Sequence, residues 1–310
     1  MDENKALDII IDLEEKRKGK YRGLLILGIL SLALLVTGVI FLILGFAALK
    51  SVGFAGAGIG LVLVGFILVI VAQIYKKNFR NYCLDMVFNE FAQNYYKDPF
   101  RNAKAGLNES VLRSAEFYKH WDRYIGSDYF KGSYKNINFE MCRYELQDEH
   151  HDSQNHSTSY STFDKGILIK FTLLKNINHD LTVLERSFNF GAKMVSSKNK
   201  IEFESMEFNK QFNTYCDDKL YAFYLITPQI QERFIQVNQN HKGDIRFRLV
   251  GDTVYFGVSN YRSDFKFKTS KPFDEETIRG ILSEFLVPMM IVDELKLDSD
   301  KLNDESRGNI

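Results

Sequence analysis

The sequence predicts an α+β fold: a two-helix transmembrane hairpin followed by a domain with a mostly antiparallel sheet and a few packing helices. Three observations predict it. Two long uncharged apolar runs sit near the N-terminus, Gly23–Leu49 and Ser51–Tyr75. After Pro99 the apolar residues begin to alternate with polar ones, the period of a half-buried strand. The helical segments that follow are few and do not alternate regularly with strands, which argues against a parallel βαβ sheet.

Composition narrows the function classes. The 310 residues carry 40 basic and 40 acidic side chains, so the formal net charge is zero. A nucleic-acid binder normally needs a basic excess, so none is expected as partner. With 45% hydrophobic and 14% aromatic residues the chain is not globally disordered. The mean hydropathy of −0.21 averages two unlike parts. Cys83, Cys142 and Cys216 lie too far apart for a zinc-knuckle pattern, and three cysteines make no closed disulfide framework.

Residues 1–22 form the first segment. Leu7, Ile10 and Ile11 recur at helical spacing among acids, predicting a short amphipathic helix, and Lys16, Arg17, Lys18, Lys20 and Arg22 follow. The hairpin occupies 23–75, with spans at about 23–46 and 54–75. Each run exceeds the ~20 apolar residues needed to cross a hydrocarbon core of about 30 Å. Only Lys50 interrupts them, whereas Lys76, Lys77 and Arg80 follow the second span. The excess of cations at both outer flanks predicts an inner-membrane protein with both termini cytoplasmic. A cleaved signal peptide is the competing reading, through Gly45-Phe46-Ala47, but the first run is too long and a second span follows directly. Gly56 and Gly60 form a G-x-x-x-G, which permits close helix approach and marks them as oligomer candidates; packing within one hairpin is the simpler use. Neither span holds an acid or a histidine, so a proton or ion path is not expected.

In residues 76–98, Leu84, Val87, Phe88, Phe91 and Tyr95 continue the second span as an amphipathic rod. Asp98-Pro99 is predicted to end it, because a residue before proline disfavours helical geometry. A single domain over 99–297 then contains strands at 137–142 and 167–174. Residues 244–258 read as a hairpin, with Ile245, Phe247 and Leu249 on one arm, Gly251-Asp252 at the turn, and Val254, Phe256 and Val258 on the other. Thr227 and Pro228 predict a helix start, with Ile230, Phe234 and Val237 facing inward. A final helical stretch over 274–297 is interrupted at Pro288, and 298–310 is a polar tail.

Chemistry is harder to find. Glu149-His150-His151-Asp152 with His156 offers imidazole and carboxylate ligands, and His150, His151 and His156 are the candidate metal ligands. The polar run after them reads instead as an exposed loop. Asp217 and Asp218 beside Cys216 could do acid–base work only if one were buried with a raised pKa; a turn with side-chain-to-backbone bonds is the plainer account. His120 stands beside Trp121 and Asp122. No Walker loop, nucleophile elbow or H-E-x-x-H occurs.

Several motifs nevertheless form a recognisable set. They are Tyr124-Ile125-Gly126-Ser127-Asp128-Tyr129-Phe130-Lys131-Gly132, then Phe163-x-x-Gly166-Ile167-Leu168, then Phe208-x-x-x-Phe212 through Tyr215-x-Asp217-Asp218, and Ala222-x-Tyr224-Leu225-Ile226-Thr227-Pro228. With the hairpin ahead of them they resemble the bacterial domain-of-unknown-function family DUF3137. The resemblance implies no activity, cofactor or catalytic residue, and hints at a LemA-type membrane-protein partner. The Asp217-Asp218 pair falls on the family's motif, and the His-rich segment does not.

The expectation is therefore a membrane protein without cofactor, presenting a cytoplasmic domain that binds a protein partner or a lipid headgroup. Asp217 and Asp218 are its candidate partner residues, and the sheet's solvent face with the loop around His150 to Tyr160 its candidate surfaces. The alternative is a membrane-anchored hydrolase, possibly metal-dependent, using the Asp217/Asp218 region with His120.

Overall fold

A computed structural model describes residues 3–48, 51–152, 157–186, 199–240, 243–260 and 270–303. The chain divides into two compact units, Met1–Phe91 with Phe265–Ser283, and Ala92–Asp264 with Glu284–Ile310.

The first unit is built on two long helices, α1 (Glu3–Ile43) and α2 (Val52–Phe91), with a wide π turn over Leu44–Ala48. Their 41 and 40 residues rise about 60 Å each, roughly twice the thickness of a hydrocarbon core. Both are long and apolar enough to cross a membrane. Ile26, Ile29, Leu32, Phe46, Leu63, Phe66 and Ile70 are each more than half exposed, a distribution that suits lipid and not water. The short amphipathic helix predicted for the N-terminus does not exist separately: no proline breaks the chain before Gly23, so it belongs to α1.

Gly38, Gly45, Gly58 and Gly65 set the approach of α1 and α2, and a side chain at Gly38 would press on Val62 at 2.8 Å. A side chain at Gly58 would press on Leu42 and the Gly38 carbonyl at 2.8 Å, one at Gly65 on Leu35 at 2.8 Å, and one at Gly45 on Ala55. Gly56 and Gly60 have nothing within 4 Å, so they do not pack the hairpin. Lys50 lies outside the described residues.

Beyond the apolar band the two helices stay paired. Lys16 donates to Asp12 at 2.8 Å and to the Tyr82 hydroxyl at 2.5 Å, and Lys20 sits 4.4 Å from the Tyr75 ring centre. Leu84, Val87, Phe88 and Phe91 are buried, as their spacing predicts. The helix stops at Phe91, seven residues before Asp98. Tyr95 is half-buried in the turn that follows, and Asp98-Pro99 falls instead in strand β1 (Lys97–Asn102).

The second unit is a seven-stranded sheet of antiparallel pairs. Besides β1 it contains β2 (Arg123–Tyr134), β3 (Ile137–Asp152), β4 (Ser157–Glu185), β5 (Asn199–Ile201), β6 (Phe212–Cys216) and β7 (Ile245–Ser259). The 29-residue β4 is its axis. Its first half lies between β3 and β7, and its last residues lie between β6 and β7. Helices α3 (Glu109–Ala115), α4 (Met206–Gln211), α5 (Lys219–Leu225), α6 (Pro228–Asn240), α8 (Val287–Leu295) and α9 (Asp300–Asn303) complete this unit. Helix α7 (Glu275–Phe285) precedes α8, and the division falls beside Pro288 as predicted.

The hairpin predicted over 244–258 is one continuous strand. Gly251, at φ +60°, lies opposite a bulge of β4, which runs from Thr172 to Leu181 while β7 runs only from Thr253 to Leu249. The left-handed backbone at Gly251 shifts the alternation of β7 by one residue, so Ile245, Phe247 and Leu249 share a face with Val254, Phe256 and Val258, opposite Arg246 and Tyr255. A two-residue turn would have shifted it equally, which is why the pattern reads as a hairpin.

The opposite face is covered rather than open. Leu112, Ala115, Phe117, Tyr118 and Trp121 form one core with Cys142, Tyr144, Leu168 and Tyr255. Inside it the fully buried Arg246 pairs with Asp164 at 2.9 Å and donates to Tyr144 at 2.9 Å and to Tyr118. Ser259 donates to the second Asp164 oxygen. Gly166, from the recognised motif, packs so tightly that any side chain would collide with the Val258 carbonyl.

Candidate functional site

The cavity that stands out lies on the face carrying Phe247 and Leu249. Its volume is about 240 Å³. Leu181 of β4 and Phe247 and Leu249 of β7 form the floor, because Gly251 keeps β7 in phase there. Leu225 and Ile226 close one side; Ile230, Arg233 and Phe234 of α6 form a wall; Leu295, Leu297 and Leu302 form the other side. The lining is mainly apolar, with Thr227, Gln229, Arg233, Lys296, Ser299 and Lys301 as its polar members. Helix α6 is aimed by its N-terminus, where Thr227 Oγ1 accepts the Ile230 amide at 3.4 Å and Gln231 donates to the Ile226 carbonyl at 2.9 Å.

Three cations, Arg233, Lys296 and Lys301, line this cavity, and no carboxylate does. Arg233 donates to the Glu294 carboxylate and carbonyl, both at 3.3 Å. Lys301 donates to the Tyr224 carbonyl at 2.7 Å, its ammonium 4.3 Å from that ring's centre. Lys296 is exposed at the end of α8.

The residues singled out from sequence do other work. Asp218 N-caps α5, its Oδ1 accepting the amides of Leu220 at 2.7 Å and Tyr221 at 3.2 Å. Asp217 accepts the Asp180 amide at 3.3 Å and lies 3.3 Å from His179 Nδ1. The pair thus caps a helix and ties it to β4, the bonding of a structured turn. Cys216 is fully buried, and burial first, then the Asp217 carboxylate, push its thiol up to about 11. Such a thiol is no nucleophile near neutral pH. His120 pairs with Asp122 at 3.2 Å.

His150 and His151 are strand residues, not loop residues. β3 and β4 continue as a two-stranded ribbon out to Asp152 and Ser157. Adjacent strand residues point to opposite faces; His150 meets Ser161 at 2.6 Å, and His151 meets Thr158 at 3.1 Å and Glu149 at 2.8 Å. His156 lies outside the described residues. Among the described residues no cluster of three or more His, Cys, Asp or Glu is placed to hold a metal.

Sequence reasoning missed the cavity, although Leu225, Ile226 and Thr227 of the recognised motif line it. It also missed Arg246, which alternation assigns to a solvent face.

Residues 162–297 match the family model described as a protein of unknown function, DUF3137. The match is to the family that the motifs resemble, and most of the cavity lies within the matched stretch. No curated protein matches. Among solved structures, the mycobacterial trehalose monomycolate transport factor A, TtfA, aligns with 60% of this chain and 86% of its own. At 5% identity and a TM-score of 0.34 that likeness carries no argument.

Proposed function

We propose that this DUF3137-domain protein is a non-enzymatic binding protein of the inner membrane, in which α1 and α2 anchor a cytoplasmic domain that captures its ligand in the cavity between α6, α8 and β7. The observation that carries this reading is the cavity itself: about 240 Å³, mainly apolar, with three cations in its lining. Binding sites for small molecules commonly have this form, apolar with a few placed polar groups. The hydrolase alternative loses its support from geometry, because Asp217 and Asp218 are engaged with backbone amides and His120 with Asp122. The cations of 16–22 and 76–80 support a cytoplasmic position for both termini. Gly56 and Gly60, turned away from the hairpin partner, are the proposed contact between copies or with a LemA-type membrane protein.

Mass spectrometry of the full-length chain taken from membranes into nanodiscs tests the reading. One small molecule per chain is expected, lost in Ile230→Trp, which fills the cavity. Equal content in both proteins, or none in either, would remove it.

A further inference from the structure

We infer that the cavity takes a single-chain fatty carboxylate, its alkyl chain between Phe234, Phe247 and Leu297 and its carboxylate at Lys296 and Lys301. This rests on the cavity being the binding site proposed above. Size is the first argument. A dry cavity of about 150 Å³ suffices for a benzene ring. About 240 Å³ therefore holds one longer alkyl segment, but not the paired chains of a bilayer lipid. Leu181, Phe234, Phe247, Leu249 and Leu297 are all at most 4% exposed and offer that segment no polar side-chain atom.

Charge is the second argument. A neutral apolar ligand would need no cation, and three line this cavity without a carboxylate among the lining residues. They are not equivalent. Arg233, whose fork could grip a phosphate with two donors, is held by Glu294 through its Nη1 at 3.3 Å. Lys301 spends one of its three donors on the Tyr224 carbonyl. Lys296 occupies the left-handed position that ends α8 (φ 53°), where glycine or asparagine is usual. With Arg233 shared with Glu294 and Lys301 with a carbonyl, Lys296 is the one uncommitted cation among the described lining residues, and a single uncommitted charge matches a carboxylate better than a dianionic phosphate.

The test uses the full-length chain in nanodiscs of neutral phosphatidylcholine. The probes are a dodecanoic acid carrying a diazirine near its chain end, and the methyl ester of the same molecule. After illumination, labelled peptides are mapped by mass spectrometry, and labelling of α1 and α2 within the bilayer normalises for partition. The acid is expected to label the peptides of α6, β7 and 295–302 saturably and about tenfold more than the ester, the ratio of one charge-assisted contact. Lys296→Gln with Lys301→Gln is expected to bring the acid down to the ester and leave the ester unchanged. Equal labelling of the cavity by acid and ester, in the native and the double variant alike, would overturn the carboxylate assignment while leaving the cavity a binding site. Labelling confined to α1 and α2 with both probes would overturn both.

Discussion

Two sets of cations in the sheet domain meet opposite fates. Arg246 is wholly enclosed and answered by Asp164, Tyr118 and Tyr144. Lys296 and Lys301 line an apolar cavity whose walls contain no acid. A buried charge is tolerated only when its partners are built in, so the first set belongs to the architecture. A cation beside an apolar cavity costs little while water reaches it, and remains free to meet an incoming anion. The helices repeat the contrast in steric terms: Gly58 is filled by its neighbour helix, whereas Gly56 and Gly60 face open space.

The strongest way to break this comparison is at Asp164. Asp164→Ala strands Arg246 without its counter-ion and should cost about 3–5 kcal/mol. Denaturant unfolding of the full chain, followed by fluorescence of the sole tryptophan, Trp121, measures it. Replacing both partners by apolar residues, as Asp164→Leu with Arg246→Met, should recover most of the loss. A loss below 1 kcal/mol for the single variant, within the range of exposed ion pairs, would mean that Arg246 is not held by this pair. The glycine contrast comes next. Gly58→Leu overpacks the hairpin and should cost about 1–3 kcal/mol, seen as a lower aggregation temperature in nanodiscs. Gly56→Leu and Gly60→Leu should leave that temperature in place; a fall as large as that of Gly58→Leu would show the outward face to be covered.

Glu14 supplies a smaller, pH-dependent term in the first unit. Its carboxylate accepts from Arg17 twice at 2.7 Å and from the Phe273 amide at 2.8 Å. The Arg17 bonds, opposed by partial burial and aided by the Phe273 amide, lower its pKa from 4.5 to about 2. The folded form therefore holds this proton more weakly than the unfolded one. Its stabilisation is complete above about pH 4.5 and fades as pH falls toward 2. Protection of the Phe273 amide relative to its intrinsic exchange rate should fall over that interval, by about 1–2 kcal/mol, and Glu14→Gln should flatten the profile. Smaller again is the cap of α5: Asp218→Ala should cost about 1 kcal/mol. Abolition of a measurable turnover by Asp217→Asn or Asp218→Ala in a folded protein would restore the hydrolase reading.

How much of this was legible in the sequence depends on whether physics forces a local pattern. The two apolar helices were legible because lipid imposes length and composition together. The alternating segments at 137–142 and 167–174 were legible because a half-buried strand has period two. The continuity of β7 through Gly251 was not, since a turn and a left-handed glycine shift that period alike, and the difference rests on β4, more than sixty residues earlier. The cavity was less legible still, because its lining runs from Leu181 to Leu302. Asp217 and Asp218 drew attention as adjacent acids on a family motif, and the motif is explained by a helix cap and a tie to β4.

The smallest expected effect discriminates best between the two sets of cations. Lys296→Gln with Lys301→Gln removes two charges from the lining of an apolar cavity, and surface changes of that kind move stability within about 0.5 kcal/mol. The left-handed backbone at residue 296 is no worse for glutamine than for lysine. Only the bond from Lys301 to the Tyr224 carbonyl is lost, from an acceptor that water can reach. The Trp121 unfolding midpoint should therefore stay where it is while capture of the fatty carboxylate falls. A midpoint shift approaching that of Asp164→Ala would place these lysines with Arg246, as charges the fold itself requires, and the contrast between built-in and open cations would be lost.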